Sequence, residues 1–213
     1  MTIALVSIAA YGNNLPDFVR VFAKHQEEYC RKYGIKYVQY NEAILRDKSP
    51  HWSKFPAVRK ELDECADWVI WMDADAFPIN KDKSIENYLN TVRTPVVMRK
   101  DRLGWNNGVF AFRNCPESCV MLDWLESEET YRRFSKVAFI EQAAMAHYMD
   151  NAVPDIVTIP PDSFGFNQYP TEIYGGGIPN KYKEGDWCVH FPAGFGKGSN
   201  LMNFCKKRGL WDL

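Results

Sequence analysis

The chain has 213 residues, with 26 Lys plus Arg against 27 Asp plus Glu, a formal charge of −1. That length suits one full-sized domain with its own core, and the near-neutral balance excludes a nucleic-acid arm or a polybasic membrane anchor as its main business. At 46% hydrophobic and 25% charged residues it is neither disordered nor fibrous. No apolar run approaches the roughly 20 residues of a membrane helix. The opening MTIALVSIAAYG lacks a basic leader and reads as a strand. Cys30, Cys65, Cys115, Cys119, Cys188 and Cys205 form no CxxC pair and no zinc spacing, so scattered reduced thiols are expected.

IALVSIA (3–9) is apolar on both faces, as a buried strand requires. Asn13, Asn14 and Pro16 then introduce a helix from Leu15 to Tyr33, with Phe18, Val19, Phe22 and Ala23 on one stripe, and Gly34 stops it. IKYVQY (35–40) is a second strand. SKFPAVRKELDECA (53–66) places Phe55, Val58, Leu62 and Cys65 at helical spacing, and WVIWM (68–72) is a third strand, apolar throughout. Strands joined by helices predict a right-handed parallel βαβαβ start. TPVVMRK (94–100) and GVFAFRN (108–114) read as strands, followed by helices over 116–127 and 140–148 and a short strand over 155–160. From Pro161 to Asn200 the chain is rich in Gly, Pro and aromatics, a composition and length that suit binding walls or lids. The expected fold is a single α/β domain over 1–213 with a mixed, mainly parallel sheet flanked by helices.

The most informative segment is WVIWMDADAFPIN (68–80). A hydrophobic strand delivers Asp73-Ala74-Asp75 at its carboxyl end, the edge where open α/β sheets bind ligands. Residues i and i+2 of an extended segment share a side, so both carboxylates can face one cation, and the small Ala74 lets another group approach the backbone. Two hard oxygen donors with open positions suit a divalent ion that also holds phosphates. The same pair can simply cap the next turn. A magnesium-dependent phosphohydrolase also places Asp-x-Asp after a strand, but that pattern expects a nearby threonine and a position close to the amino terminus.

HWSKFPAVRKELDECADWVIWMDADAFPIN resembles the signature block of the retaining type-A-fold (GT-A) glycosyltransferases grouped with plant xyloglucan xylosyltransferases and yeast Golgi mannosyl- and galactosyltransferases. WNNGVFAFRNCPESCVMLDWL (105–125) is similar to their Asn-x-Gly block, FIEQAAMAHYM (139–149) to their Asp/Glu-Gln-x-Ala helix, and VHFPAG (189–194) to their His-Phe-x-Gly segment. The similarity covers roughly residues 50–195. HFPAGFGKG replaces the usual His-Phe-x-Gly-Cys ending, and the Golgi members' amino-terminal anchor has no counterpart, so a soluble cytoplasmic relative, or one domain of a longer protein, is expected.

The resemblance implies a GT-A fold whose residues 1–100 form a nucleotide-binding half and 101–213 a donor-sugar and acceptor half. It implies a UDP-sugar donor of the UDP-glucose kind, a glycan acceptor, manganese with magnesium as the alternative, and retention of configuration. Asp73, Asp75 and His190 are the implied metal ligands. Ser7, Ile8, Ala9 and Tyr11 would floor the nucleoside, and Lys54 and Arg59 would approach base or phosphates. Ala74, Asn106, Gly108, Gly194 and Lys197 would line the donor. Gln142 and Glu141, with Asp75, carry the chemistry: Gln142 stabilises an oxocarbenium-like transition state, while Glu141 orders hydroxyls, attacks or acts as base. Trp105, Phe164, Phe166, Tyr169, Tyr174 and Trp187 are candidate sugar-stacking faces or core. A catalytically silent nucleotide-sugar or glycan-binding module is the alternative.

Overall fold

The computed structural model describes residues 1–12, 14–151, 155–171, 180–192 and 199–211. Its strands are β1 (Ile3–Ile8), β2 (Lys36–Tyr40), β3 (Trp68–Met72), β4 (Ala76–Pro78), β5 (Val96–Asp101), β6 (Gly104–Arg113), β7 (Val157–Thr158) and β8 (Cys188–His190). Its helices are α1 (Asp17–Tyr33), α2 (Lys54–Asp63), α3 (Ile85–Leu89), α4 (Pro116–Glu126), α5 (Glu128–Phe134), α6 (Ile140–Asn151) and α7 (Ser199–Lys206), with a 3-10 turn at Pro50–Ser53. The central sheet runs β2-β1-β3-β6-β5-β7. β1 pairs in parallel with both β2 and β3, while β6 is antiparallel to β3 and β5. The βαβαβ start predicted from the hydrophobic runs is therefore present, and the sheet turns mixed at β6.

β3 explains why its sequence shows no alternation. Val69 and Trp71 face one core with Phe55, Val58 and Leu62 of α2 and Met121 and Leu125 of α4. Trp68, Ile70 and Met72 face a second core with Tyr29 and Cys30 of α1 and with Trp187. A strand buried on both faces has no polar side to present. α1 ends as expected: Gly34 sits at φ 64° and its N–H bonds back to the Cys30 carbonyl, a left-handed cap that costs glycine little.

Two expectations are corrected. β6 begins at Gly104 and not at Gly108, so Trp105, Asn106 and Asn107 are strand residues; the register shift between Met98 and Arg99 accommodates them. The strand expected over 155–160 shortens to Val157–Thr158. Of the aromatic candidates, read as sugar-stacking faces or core, Trp105, Phe164, Phe166, Tyr169 and Trp187 are all buried, and the Phe166 and Trp187 rings stack at 5.2 Å. Tyr174 lies outside the described residues.

The small sheet β4–β8 pairs Ala76 with His190, Phe77 with Val189 and Pro78 with Cys188; β8 falls in WCVH (187–190), a strand expected to end at His190, whereas β4 is not expected. Phe77 packs with Phe22 of α1, Phe191 and Phe204 of α7 in a third core. This ribbon positions the candidate site.

Candidate active site

β3 ends at Met72, and the chain turns at once: the Ala76 N–H donates to the Asp73 carbonyl at 3.0 Å. Asp73-Ala74-Asp75 is thus a tight turn and not the extended segment expected from strand alternation. The turn is held on three sides. The Asp73 N–H donates to the Gly108 carbonyl at 2.8 Å, the Phe191 N–H to the Asp75 carbonyl at 2.9 Å, and the buried Gln26 amide of α1 to the Ala76 carbonyl at 2.7 Å.

Pairing of β4 with β8 brings His190 beside the turn. One ligand atom from each of Asp73, Asp75 and His190 lies within 4.8 Å of the others, and His190 Nε2 is 3.4 Å from Asp75 Oδ1. Asp75 and His190 are buried, whereas Asp73 is half-buried. Two carboxylates and an imidazole at this spacing form a donor set that fits a divalent cation.

Asp73 is further organised by two side chains. The Trp71 indole N–H donates to Oδ1 at 2.7 Å, and Lys54 Nζ lies 3.1 Å from the same oxygen. Lys54, fully enclosed at the start of α2, also reaches Glu141 Oε1 at 3.2 Å and Asn107 Oδ1 at 3.2 Å. Burial works against its charge, but the Asp73 and Glu141 carboxylates outweigh burial and hold the ammonium pKa above its ordinary value. Gln142 Oε1 accepts the Asn107 N–H at 3.3 Å. Glu141 and Gln142, in the first turn of α6, are thereby tied to the same point of β6.

A cleft of about 280 Å³ opens in front of the turn, lined by Ile8, Ala10 and Tyr11 from the end of β1, Pro50 and His51, and Lys54, Trp71, Asp73, Ala74 and Asp75. Of the expected nucleoside floor, Ile8 and Tyr11 face this cleft, while Ser7 and Ala9 are buried and do not line it. Alternation carried past β1 puts residues 8 and 10 on the open side. Arg59 is also corrected: on α2 it pairs with Asp123 and Glu126 of α4, at 2.6 Å each, and is spent on helix packing. Gly194 and Lys197 lie outside the described residues. A larger cavity of about 850 Å³ lies at the other end of the sheet, between Arg113, Cys115 and Trp124. Its lining includes Cys115, Glu117, His147 and Asp155, but among the described residues the donors that converge closely enough to hold an ion are Asp73, Asp75 and His190, beside the smaller cleft.

Gly108 has a different use from the one expected of it. A Cβ there would meet His190 Cε1 at 2.0 Å, so the imidazole, and not a sugar, occupies the space a side chain would take. Gly108→Ala is expected to lower stability by about 1–3 kcal/mol through overpacking, read as a lower urea midpoint. An unchanged midpoint would mean that the ring moves aside freely. Trp71, Asn107, Asn167 and Gln26 were not singled out from sequence; only the position of Trp71, two residues before Asp73, signalled its contact.

The fold is that of the GT-A glycosyltransferases. It superposes with a TM-score of 0.72 on a glycosyltransferase involved in glycosylation of the major capsid of PBCV-1, at 15% identity over 95% of this chain and 98% of that one. It superposes with a TM-score of 0.61 on the galactosyltransferase LgtC in complex with donor and acceptor sugar analogs, at 14% identity over 99% and 95% of the two chains. Residues 2–93 match the galactosyl transferase GMA12/MNN10 family. An uncharacterized alpha-1,2-galactosyltransferase of Schizosaccharomyces pombe is 27% identical over 90% of this chain and 60% of its own length. Xyloglucan 6-xylosyltransferase 4 of Arabidopsis thaliana is 30% identical over 47% of this chain and 21% of its own. The chain thus resembles this group of glycosyltransferases and spans less than two thirds of the length of these relatives. Among the described residues, no helix is long and apolar enough to cross a membrane.

Proposed function

We propose that the chain is a metal-dependent glycosyltransferase that moves a sugar from a UDP-sugar, of the UDP-glucose kind, to a hydroxyl of a glycan acceptor with retention of configuration. The observation that carries this reading is the convergence of Asp73, Asp75 and His190 at the mouth of a cleft bounded by the carboxyl ends of β1 and β3. Those three side chains would hold the ion, whose charge stabilises the departing diphosphate. Ile8, Ala10 and Tyr11 offer the nucleoside a wall with one aromatic face. Lys54 and the Trp71 indole hold Asp73 in one orientation, so little reorganisation is needed on binding.

On the sugar side, Gln142 has one lone pair of its carbonyl engaged by Asn107 and a second left to face positive charge developing at the reacting carbon. Glu141 is buried with Lys54 and Asn107 on one oxygen, an environment that suits it to holding Lys54 better than to attacking carbon. The reading is therefore front-face transfer, in which the leaving phosphate takes the acceptor proton.

The test is release of UDP from UDP-sugars without acceptor, with and without manganese, alongside a thermal-shift panel of UDP- and GDP-sugars. Slow manganese-dependent release is expected, and stabilisation should require the correct nucleotide and the metal together. Stabilisation without release would mark a binding module, and cleavage of simple phosphate monoesters a phosphohydrolase; either outcome would overturn the proposal.

A further inference from the structure

Behind His190 runs a chain of side-chain amides that the sequence did not announce. The Gly108 N–H can only donate, so the Asn106 atom 3.0 Å from it is its carbonyl oxygen. The same oxygen accepts Asn167 Nδ2 at 2.9 Å. Asn167 therefore turns its own carbonyl oxygen toward His190 Nδ1, 2.8 Å away. At the far end Asn106 Nδ2 donates to Asp101 Oδ2 at 3.0 Å, and that carboxylate oxygen also accepts the Tyr169 hydroxyl at 2.8 Å. Asn106, Asn167 and His190 are all buried, so water does not compete for these bonds.

Each amide in this series has its orientation set by the previous partner, beginning from a backbone donor whose polarity is not open to choice. The last oxygen can only accept. A neutral His190 must then carry its one ring proton on Nδ1, which turns the Nε2 lone pair toward Asp75, 3.4 Å away. Without this series the neighbouring Asp75 carboxylate favours the opposite tautomer, with Nε2–H donated to Asp75 and both groups closed to a metal. We propose that Asn167, backed by Asn106 and Asp101, is a positioning residue that locks His190 in its metal-binding tautomer before any ion arrives. The proposal rests on the reading of Asp73, Asp75 and His190 as a metal site. Partners of this kind on ligating imidazoles typically change metal affinity 10–100-fold.

Asn167 sits at φ 58°, a left-handed position that glycine also accepts without strain. Asn167→Gly removes the side chain without asking the backbone to move, and Asn167→Asp restores an acceptor for Nδ1–H. Two readouts are needed. The first is the His190 tautomer in the metal-free protein, from nitrogen-15 NMR at a pH where the ring is neutral. The second is manganese affinity, from the electron paramagnetic resonance of free Mn²⁺.

The wild-type ring is expected to be protonated on Nδ1, and Asn167→Gly to shift it to Nε2–H and weaken manganese binding by about 10–100-fold. Asn167→Asp, which keeps an acceptor for Nδ1–H but loses the donor to Asn106, should restore the Nδ1–H tautomer and part of that loss, which a merely structural role would not predict. An Nε2–H tautomer in the wild-type protein would overturn the proposal even if the glycine variant failed to fold. So would an Asn167→Gly protein with unchanged tautomer and affinity. A wild-type protein with the Nδ1–H tautomer that binds no manganese would instead sink the metal reading while leaving the relay standing.

Discussion

Asp75→Ala is expected to cut manganese-dependent UDP release by about a thousandfold. Asp75 is buried and faces His190 Nε2 at 3.4 Å, so in the proposed metal site its carboxylate would join the turn after β3 to β8. A bound divalent ion contributes several kcal/mol to a transition state that expels a diphosphate. At about 1.4 kcal/mol per factor of ten, losing roughly 4 kcal/mol gives that thousandfold. Asp75→Asn, which keeps the shape and removes the charge, should lose nearly as much activity, with a urea midpoint close to wild type. UDP release within about tenfold of wild type in both variants would remove Asp75 from the metal site and the transferase proposal with it.

The second large effect is on the fold. Lys54→Met keeps the aliphatic stem but leaves the Asp73 and Glu141 carboxylates facing one space without a cation. Removing one partner of a buried pair costs about 3–5 kcal/mol, and Lys54 and Glu141 are both buried. The Lys54 pKa is raised in the folded protein. Its contribution is therefore fully present below the unfolded-lysine value of about 10.4 and disappears only as pH rises through the folded value. Urea unfolding should show a deficit that is the same at pH 6 as at pH 8, both of them at least about two units below that reference. An undiminished midpoint would mean that Asp73 and Glu141 are not held by Lys54.

Long apolar runs made the frame legible. WVIWM could only be an inner strand, and the Gly34 stop and the Phe18–Val19–Phe22 stripe fixed α1 within two residues of its observed start. The acids at the end of β3 were equally plain as text, although the same pair could also have served only to cap the next turn. What stayed hidden depends on distant partners. β4 is three residues long, too short for a periodic signal, so the tight turn and its return strand read as one extended piece, and nothing in the text pairs it with β8. Lys54 and Arg59 lie five residues apart on one helix and look alike as text. One points at Asp73 and is buried, the other at Asp123 and Glu126, and only the packing of α2 separates them. Asn167 lies in an irregular aromatic stretch where nothing marks an amide as special until His190 is set against it.

The pairing of Ala76 with His190 also orders events in time. A chain emerging from the ribosome displays its two acids long before its imidazole is made, and contacts between remote segments form late because the intervening loop must first be closed. An unfinished chain offers a dication only two carboxylates in a mobile turn, a weak and unselective trap. On the proposed metal reading, full affinity would arrive only once β8 has been made and paired with β4.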